Sequence, residues 1–482
     1  MKLVVENRFA LLGLVMVALS ALFGVALVTS PASGTDAAGP AERARVESAV
    51  RACPPPQGDD DSGTIAAYGP ADGADKGKLT AAANPAAPEE DDDGAVPSPE
   101  PIGRSGQPGT PWTAEPGDSG THTVVRATGG LAAGVELTQA TLGKDEKAVT
   151  EVRCPEPGLS TWFAAPGGDD LKDLRLHAGN PDDSAATVNV DVYATDGPAV
   201  SKETRGIAVA PNSDAEIDLG PLVESTGAVG VHVRTASGRV AASLFAEKSK
   251  RGADWVPPAN PPATTHVIPG VPEGGGDRRL IVAAPGEDPA DVKVRAFTPD
   301  GEADHDALES LDVPPSASAE LSLEGPLDKK PATIVVTATR PVVAAVAMSR
   351  SDGDDTAYTA AVDPLEGGLN STAVVPSLPK DTDSELLIGA PEKAATVRVT
   401  PVAADGSTGD PKETKVKAGR TEPVKVGADA AALVVEAVKG SGPAYAARVL
   451  KGDGATSVLP LPPAPAEIAL PSVSDSLTSV VR

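Results

Sequence analysis

The strongest constraint on this chain is that it repeats itself at a period near 105 residues. Residues 187–193, 291–297 and 396–402 each alternate Val or another small apolar residue with polar or large ones, until Pro401 interrupts the third. That period of two is the pattern of a half-buried strand. Val190, Val294 and Val399 are spaced by 104 and 105 residues. An Asp-Gly pair follows each at the same steps, as Asp196-Gly197, Asp300-Gly301 and Asp405-Gly406. Asp-Gly accepts positive φ and suits a tight hairpin. The register continues through Ala215/Ile217, Ala319/Leu321 and Val424/Val426. Apolar runs follow at 229–233, 334–336 and 433–438, then at 240–245, 342–348 and 445–450. The units read as opening alike at 162–166, 281–285 and 387–391, and closing alike at 267–269, 374–376 and 458–460. About seven short strands fall in each unit.

A degenerate fourth copy lies upstream, with an opening strand near Thr64, a late strand pair from Val124 and a closing strand at Val152. Its middle, residues 84–120, is rich in Pro, Gly and acid and is expected to be a disordered loop. In this register Cys53 stands before the first strand and Cys154 just after the last. These are the only two cysteines, they form no C-x-x-C pair and neither has a neighbouring His, so one structural disulfide is expected. Residues 37–52, dominated by Ala, Glu and Arg and stopped by Pro54, read as a short stalk helix.

No amphipathic helical pattern of useful length occurs between Cys53 and Pro460. Short strands with turn signals every 8–12 residues indicate an all-β chain of tandem immunoglobulin-like β-sandwiches. The alternative is a β-propeller in which each unit supplies two blades. The expected division is 1–8 as a cytoplasmic leader, 9–29 as a membrane or signal segment, 30–52 as stalk and 53–155 as the degenerate unit. Regular units at 156–270, 271–378 and 379–460 follow, then a flexible tail at 461–482.

An Ala-Pro-Gly turn, a Val-x-Val strand, Asp-Gly and a late Val-Val-Ala-Ala strand together resemble an uncharacterised actinobacterial family of secreted or membrane-anchored proteins. The resemblance spans most of residues 50–460, and a composition heavy in Ala, Val, Gly and Pro agrees with a high-GC genome. It implies an extracytoplasmic β protein and carries over no catalytic residue.

Residues 9–28 contain no charge, and at 1.5 Å per residue the run is about 30 Å long, the thickness of a bilayer's hydrocarbon core. Lys2 and Arg8 precede it while Asp36 and Glu42 follow, which places the body outside the cytoplasmic membrane. An uncleaved single-pass anchor and a secretory signal cut near Ser30-Pro31-Ala32-Ser33 both satisfy this pattern. The net charge of −27, from 41 basic and 68 acidic residues, argues against nucleic acid and anionic lipid as partners.

Parts for chemistry are few. Gly117-Asp118-Ser119-Gly120 matches a serine-protease nucleophile segment superficially, but no His precedes Ser119. His122, His177, His232, His266 and His305 show no metal-ligand spacing, so each reads as a lone surface or packing residue. Acidic runs at 59–61, 89–93, 300–306 and 352–355 supply hard oxygen ligands for calcium without the twelve-residue loop spacing. Trp112, Trp162 and Trp255 are a thin basis for a sugar-binding face. The reading is a non-enzymatic cell-envelope scaffold with no cofactor, binding a protein or envelope component. The alternative is a carbohydrate or wall-polymer binding module.

Overall fold

In the strand Ala186–Ala194 buried Ala186, Val188, Val190 and Val192 alternate with partly exposed neighbours, as the period-two pattern requires. Around such strands the computed structural model builds an all-β protein. It describes residues 12–23 and 42–470, apart from 58–61, 71–75, 85–98, 118–119, 143–148, 250–251, 351–354, 381, 428–429 and 453.

One sheet plan recurs four times. In the fourth repeat the first antiparallel sheet runs Thr372–Val375, Ala432–Ala437, Ala395–Val402, Lys412–Val416. The second runs Arg420–Lys425, Asp383–Ala390, Tyr445–Lys451, Thr456–Leu461. Numbered along the chain, the orders are first-sixth-third-fourth and fifth-second-seventh-eighth. The first repeat follows the same plan from Ser48–Cys53 to Val149–Arg153, and the second from Ser160–Pro166 to Ala253–Val256. In the third, from Ala263–Val271 to Thr356–Ala360, the sixth and seventh strands are one segment, Ala332–Ser349, that passes from one sheet to the other. Val190, Val294 and Val399 all lie on third strands. The turn after the strand Ala290–Thr298 needs Gly301, whose φ is 131°.

Several sequence expectations are corrected. Of the stalk helix expected at 37–52, residues 37–41 lie outside the described residues, and the rest holds the strands Arg43–Arg45 and Ser48–Cys53, the latter paired with 123–128. The Arg51 guanidinium is buried there against Glu136 and Glu156, so tertiary pairing overrides the helix propensity of Ala and Arg. The stretch 84–120 contains the edge strands Glu100–Ser105 and Trp112–Ala114, where Pro and Gly are tolerated. Its residues 85–98 lie outside the described residues. The strands holding 267–269 and 374–375 open the third and fourth repeats rather than close their predecessors. The boundary expected at 270/271 therefore falls inside Ala263–Val271. Likewise 162–166 belongs to a first strand, whereas 281–284 and 387–390 belong to second strands. The tail expected from 461 begins as ordered chain, with Ala464 buried.

Residues 12–23 are helical with exposed apolar side chains. Among the described residues no helix is long and apolar enough to cross a membrane.

Residues 45–468 form one body. Within each repeat the two sheets share a core, as where Phe163, Val190 and Val231 meet Leu174, Leu176 and Leu244. Their outer faces are apolar too. Trp162, Ala164 and Ala228 of the second repeat pack on Ile281, Val343 and Ala345 of the third. Val267, Phe297 and Val335 of the third pack on Tyr445 of the fourth. Tyr68 of the first packs on Val374, Val402 and Ala432 of the fourth. Ala52 and Val124 of the first pack on Ala241 of the second. At the third–fourth seam a methyl on Gly389 would collide with Thr333. The repeats thus close into a ring of eight face-packed sheets. The two-sheets-per-unit arithmetic of the propeller alternative is met, but strands of one repeat interleave between its two sheets.

Cys53 and Cys154 are disulfide-bonded, with Cα atoms 4.4 Å apart and 101 residues between them in sequence. The bond ties the first strand of the first repeat to the residue after its last strand. Reduction is expected to lower unfolding free energy by as much as about 4–5 kcal/mol, the chain-entropy value for a loop of this length. Urea midpoints of oxidised and reduced protein measure this, and coincident midpoints would refute it.

Candidate functional site

The last strand of each repeat lies at the centre of the ring. Val149–Arg153 neighbours Ala253–Val256, then Thr356–Ala360, then Thr456–Leu461, which returns to Val149–Arg153. Polar side chains on these strands are removed from water and answer one another across repeats. Asp254, 0% exposed, takes the backbone N–H groups of Glu151 and Trp255 on Oδ1 at 3.2 and 2.9 Å. Its Oδ2 shares a 2.9 Å hydrogen bond with Ser457 Oγ of the fourth repeat. Burial, aided by the negative charge of Asp355, pushes the Asp254 carboxyl well above the usual carboxylate range, against those hydrogen bonds. Asp355 Oδ2 accepts from the backbone N–H of Thr456 at 2.6 Å.

Glu151 is 3% exposed, and Arg448 of the fourth repeat is fully buried. Arg448 Nη2 donates to Glu151 Oε2, and Nη1 to the Ser377 carbonyl at 3.2 Å. Burial raises the Glu151 pKa, and the Arg448 charge only partly offsets it. Glu151 Oε1 and Arg448 Nε have no hydrogen-bond partner. Beside them Glu136 is clasped by Arg153 through two 2.5 Å hydrogen bonds and approached by Arg51 at 3.1 Å. Burial alone would raise its pKa, but the two guanidiniums hold it below the usual value.

Over this cluster a pocket of about 180 Å³ opens where the four last strands end. All four repeats line it: Glu151 and Arg153, then Trp255, Pro257 and Asn260, then Val362, then Leu459 and Pro460. No histidine, serine or cysteine is among its lining residues. Two wider clefts, of about 290 and 450 Å³, lie between the second and third repeats and the third and fourth. The walls of the first carry ion pairs, Lys248 with Asp170 on the second repeat and Arg279 with Asp277 and Glu320 on the third. In the second, buried Arg278 donates to the carbonyls of Lys330, Pro272 and Gly274.

Sequence reasoning treated the histidines singly, and the ring brings two of them together. His122 of the first repeat and His177 of the second flank Asp214, with Nδ1 atoms 3.8 and 4.0 Å from its carboxylate oxygens. Asn84 Nδ2 lies 3.4 Å from His122 Nε2, and Gln57 Nε2 3.4 Å from His177 Nε2. Neither His–Asp approach is short enough for a hydrogen bond. Burial would raise the Asp214 pKa, yet the two imidazoles hold it below the usual value. No sequence signal links positions that only an inter-repeat seam juxtaposes. His232 stacks on Trp162 with ring centroids 3.8 Å apart, His266 Nε2 donates to the Val342 carbonyl at 2.5 Å, and His305 caps a 3-10 turn.

Trp162 and Trp255 are 8% and 3% exposed, so they form core rather than a sugar platform. Trp112 packs against the first repeat's core. Asp118, Ser119 and the acidic runs 59–61 and 89–93 lie outside the described residues, as do 352–354. In the run 300–306, Asp300 pairs with Lys330 at 3.1 Å. Among the described residues no group of three or more His, Cys, Asp or Glu is placed to hold a metal ion.

Two predictions follow from these seams. Arg448→Met alone should destabilise the protein by about 3–5 kcal/mol, because it strands a buried carboxylate. The double variant Glu151→Leu/Arg448→Met should recover much of that loss, read as chemical-denaturation midpoints; additive losses would show the pair is uncoupled. Asp214 has a folded pKa below its unfolded value, so its stabilisation is present above the ordinary carboxylate pKa of about 4 and is lost as pH falls through the folded pKa. Asp214→Asn should therefore lower the melting temperature at pH 7, with the gap to wild type closing below pH about 4. A pH-independent gap would contradict this.

The sequence model of a family of unknown function, DUF5719, matches residues 112–427. No curated protein matches the chain. A solved Thermotoga maritima protein is 22% identical over a match covering 18% of this chain and 80% of its own, with a TM-score of 0.16. An anti-sigma factor domain-containing protein from Clostridium clariflavum is 11% identical, covering 68% of this chain and 85% of its own at a TM-score of 0.12. A Streptomyces avermitilis alpha-L-rhamnosidase complexed with L-rhamnose is 10% identical, covering 86% and 55% at 0.12. Scores this low carry no argument about fold or function.

Proposed function

The chain belongs to the DUF5719 family, whose model spans more than half of it, and from that premise we propose that it is a non-catalytic interaction protein of the cell envelope. In this reading residues 9–29 tether it to the cytoplasmic membrane of an actinobacterium, with the body outside. Four sandwiches of broadly immunoglobulin-like architecture, though not of immunoglobulin strand order, make a closed ring that presents a surface to a protein or another envelope component. Cleavage after the apolar segment would release the same ring into the same compartment.

The observation that carries the reading is the Cys53–Cys154 bond, since disulfides persist in oxidising compartments outside the cytoplasm. Two further features support it. The buried ionisable groups at the axis are engaged in holding one repeat to another, so they are not free to serve as an acid–base pair. The net charge of −27 keeps an exposed ring soluble and repels polyanions. A glycan-binding role has lost its aromatic platform and would have to use the clefts between repeats.

The test is a thiol assay in intact producing cells. A membrane-impermeant maleimide should label Cys53 and Cys154 only after a reductant is added, and external protease should cut the body of the chain. Free thiols and full protection from protease would sink the proposal. Co-sedimentation with purified wall polymer would redirect it to the glycan role.

A further inference from the structure

The first sheet of the second repeat turns Phe163, Val190, Val231 and Val233 into the core, so the alternate residues of the same strands share its opposite face. Two rows cross that face side by side. In one, Trp162 stands opposite His232 and His232 opposite Asp191; in the next, Ser160 stands opposite Arg234. Ser160 is exposed, and its Oγ lies 2.9 Å from His232 Nε2. The imidazole lies flat on Trp162, with the two rings 5° from parallel, which fixes its plane. Asp191 Oδ2 stands 3.8 Å from Nδ1, too far for a hydrogen bond, but its charge favours the proton on Nδ1 and leaves Nε2 as the acceptor. Burial would raise the Asp191 pKa, yet Arg234 and Arg205 hold it below the usual value. Burial lowers the His232 pKa against the pull of Asp191, so the ring is neutral at pH 7. Arg234 meets Asp191 through Nε at 2.8 Å, and among the described residues its η nitrogens make no hydrogen bond.

We propose that Ser160 is a nucleophile that accepts an acyl group from an activated ester, with His232 as its general base. A serine hydroxyl is weak alone and needs a base within hydrogen-bond reach, which Nε2 provides. As Oγ attacks the carbonyl carbon, its proton passes to Nε2. The Oγ–C bond forms, the C–O bond to the leaving group breaks, and the imidazolium returns its proton to the departing oxygen. Arg234, directly across from Ser160, has donors for the charge that develops on the carbonyl oxygen. Asp191 is a positioning residue, acting on the reaction only through the imidazole. The three positions are far apart in sequence and meet only through strand pairing, so no local motif announces them. The inference goes beyond the proposed function, which assigns no covalent chemistry to the ring.

The test incubates the full chain in mild detergent with p-nitrophenyl acetate, follows release of p-nitrophenol and locates the acetyl groups by peptide mass mapping. Ser237, exposed on the same strand as His232 but bonded to the Thr187 hydroxyl, is the internal control. The expected result is acetylation of Ser160 at least tenfold faster than of Ser237, at a rate that levels off above pH about 6.5, the ordinary imidazole value. His232→Gln should remove that advantage and leave Ser237 unchanged, if the variant keeps the wild-type circular dichroism. Asp191→Asn should move the midpoint of the pH profile downward, because a neutral amide no longer favours the imidazolium; an unmoved midpoint removes Asp191 from the scheme. Equal acetylation of Ser160 and Ser237 in the wild type, or a rate that climbs with pH without a plateau, overturns the proposal whatever the variants do. An undiminished Ser160 rate in a folded His232→Gln variant overturns the role of the base. Release beyond one equivalent through Ser160 would support this site and overturn the non-catalytic reading above. The outcome of the thiol assay leaves these results untouched, so the two proposals fall separately.

Discussion

In the strand Arg278–Ala284, Leu280 and Val282 face the third repeat's own core while Ile281 sits among residues shared with Trp162 of the second. The same split runs through Ala332–Ser349, where Val342, Ala344 and Val346 go one way and Val343 and Ala345 the other. Side chains alternate across a strand, so a sheet with Val or Ala at every position has two apolar faces to cover. Each fully buried Val or Leu contributes about 1.5–3 kcal/mol. A linear string of such repeats would leave an apolar face bare at each end, an aggregation hazard. Closing the string into a ring sets an apolar face of each repeat against its neighbour, at the second–third, third–fourth, fourth–first and first–second seams.

That constraint explains why the axis is polar although the sheets are not. Last strands from four repeats converge there, and their backbones and side chains need partners that water cannot supply. The partners come from other repeats: Glu151 with Arg448, Asp254 with Ser457, Asp355 with the Thr456 amide. Each repeat contributes a different residue to the cluster. Burying such groups is costly, and a hydrophobic replacement could be as stable.

The sequence made the third strands, the Asp-Gly turns and the sixth and seventh strands legible, because those signals are local and survive at fixed spacing. It misplaced the first and second strands. An apolar pair followed by Ala-Ala-Pro or Gly-Ala-Pro occurs at Pro166, Pro285 and Pro391, and nothing local says that the first ends a sheet edge and the others a sheet interior. Ser48–Cys53 reads as helix because Ala and Arg favour helix, yet its partner lies some seventy residues downstream, where propensity has no reach. The His122–Asp214–His177 cluster and the axial pocket are less legible still. Both exist only after repeats meet, and each repeat alone shows an isolated His, an isolated Asp or a run of prolines.

The position of the disulfide follows from the same geometry. The first repeat is the one whose core is weakest, with long Pro- and Gly-rich edges, and it must also meet the fourth repeat to close the ring. Its last strand carries Glu151 to the axis, and that strand ends at Arg153, one residue before Cys154. Its first strand ends at Cys53 and packs, through Ala52, on the second repeat. A bond between the two cysteines fixes the surface toward the second repeat relative to the surface toward the axis and the fourth. Ring closure joins residues nearly three hundred positions apart, so its entropic cost is high. A covalent tie inside the closing repeat reduces the freedom lost at that step, and no other seam in the ring has to bridge so long a separation.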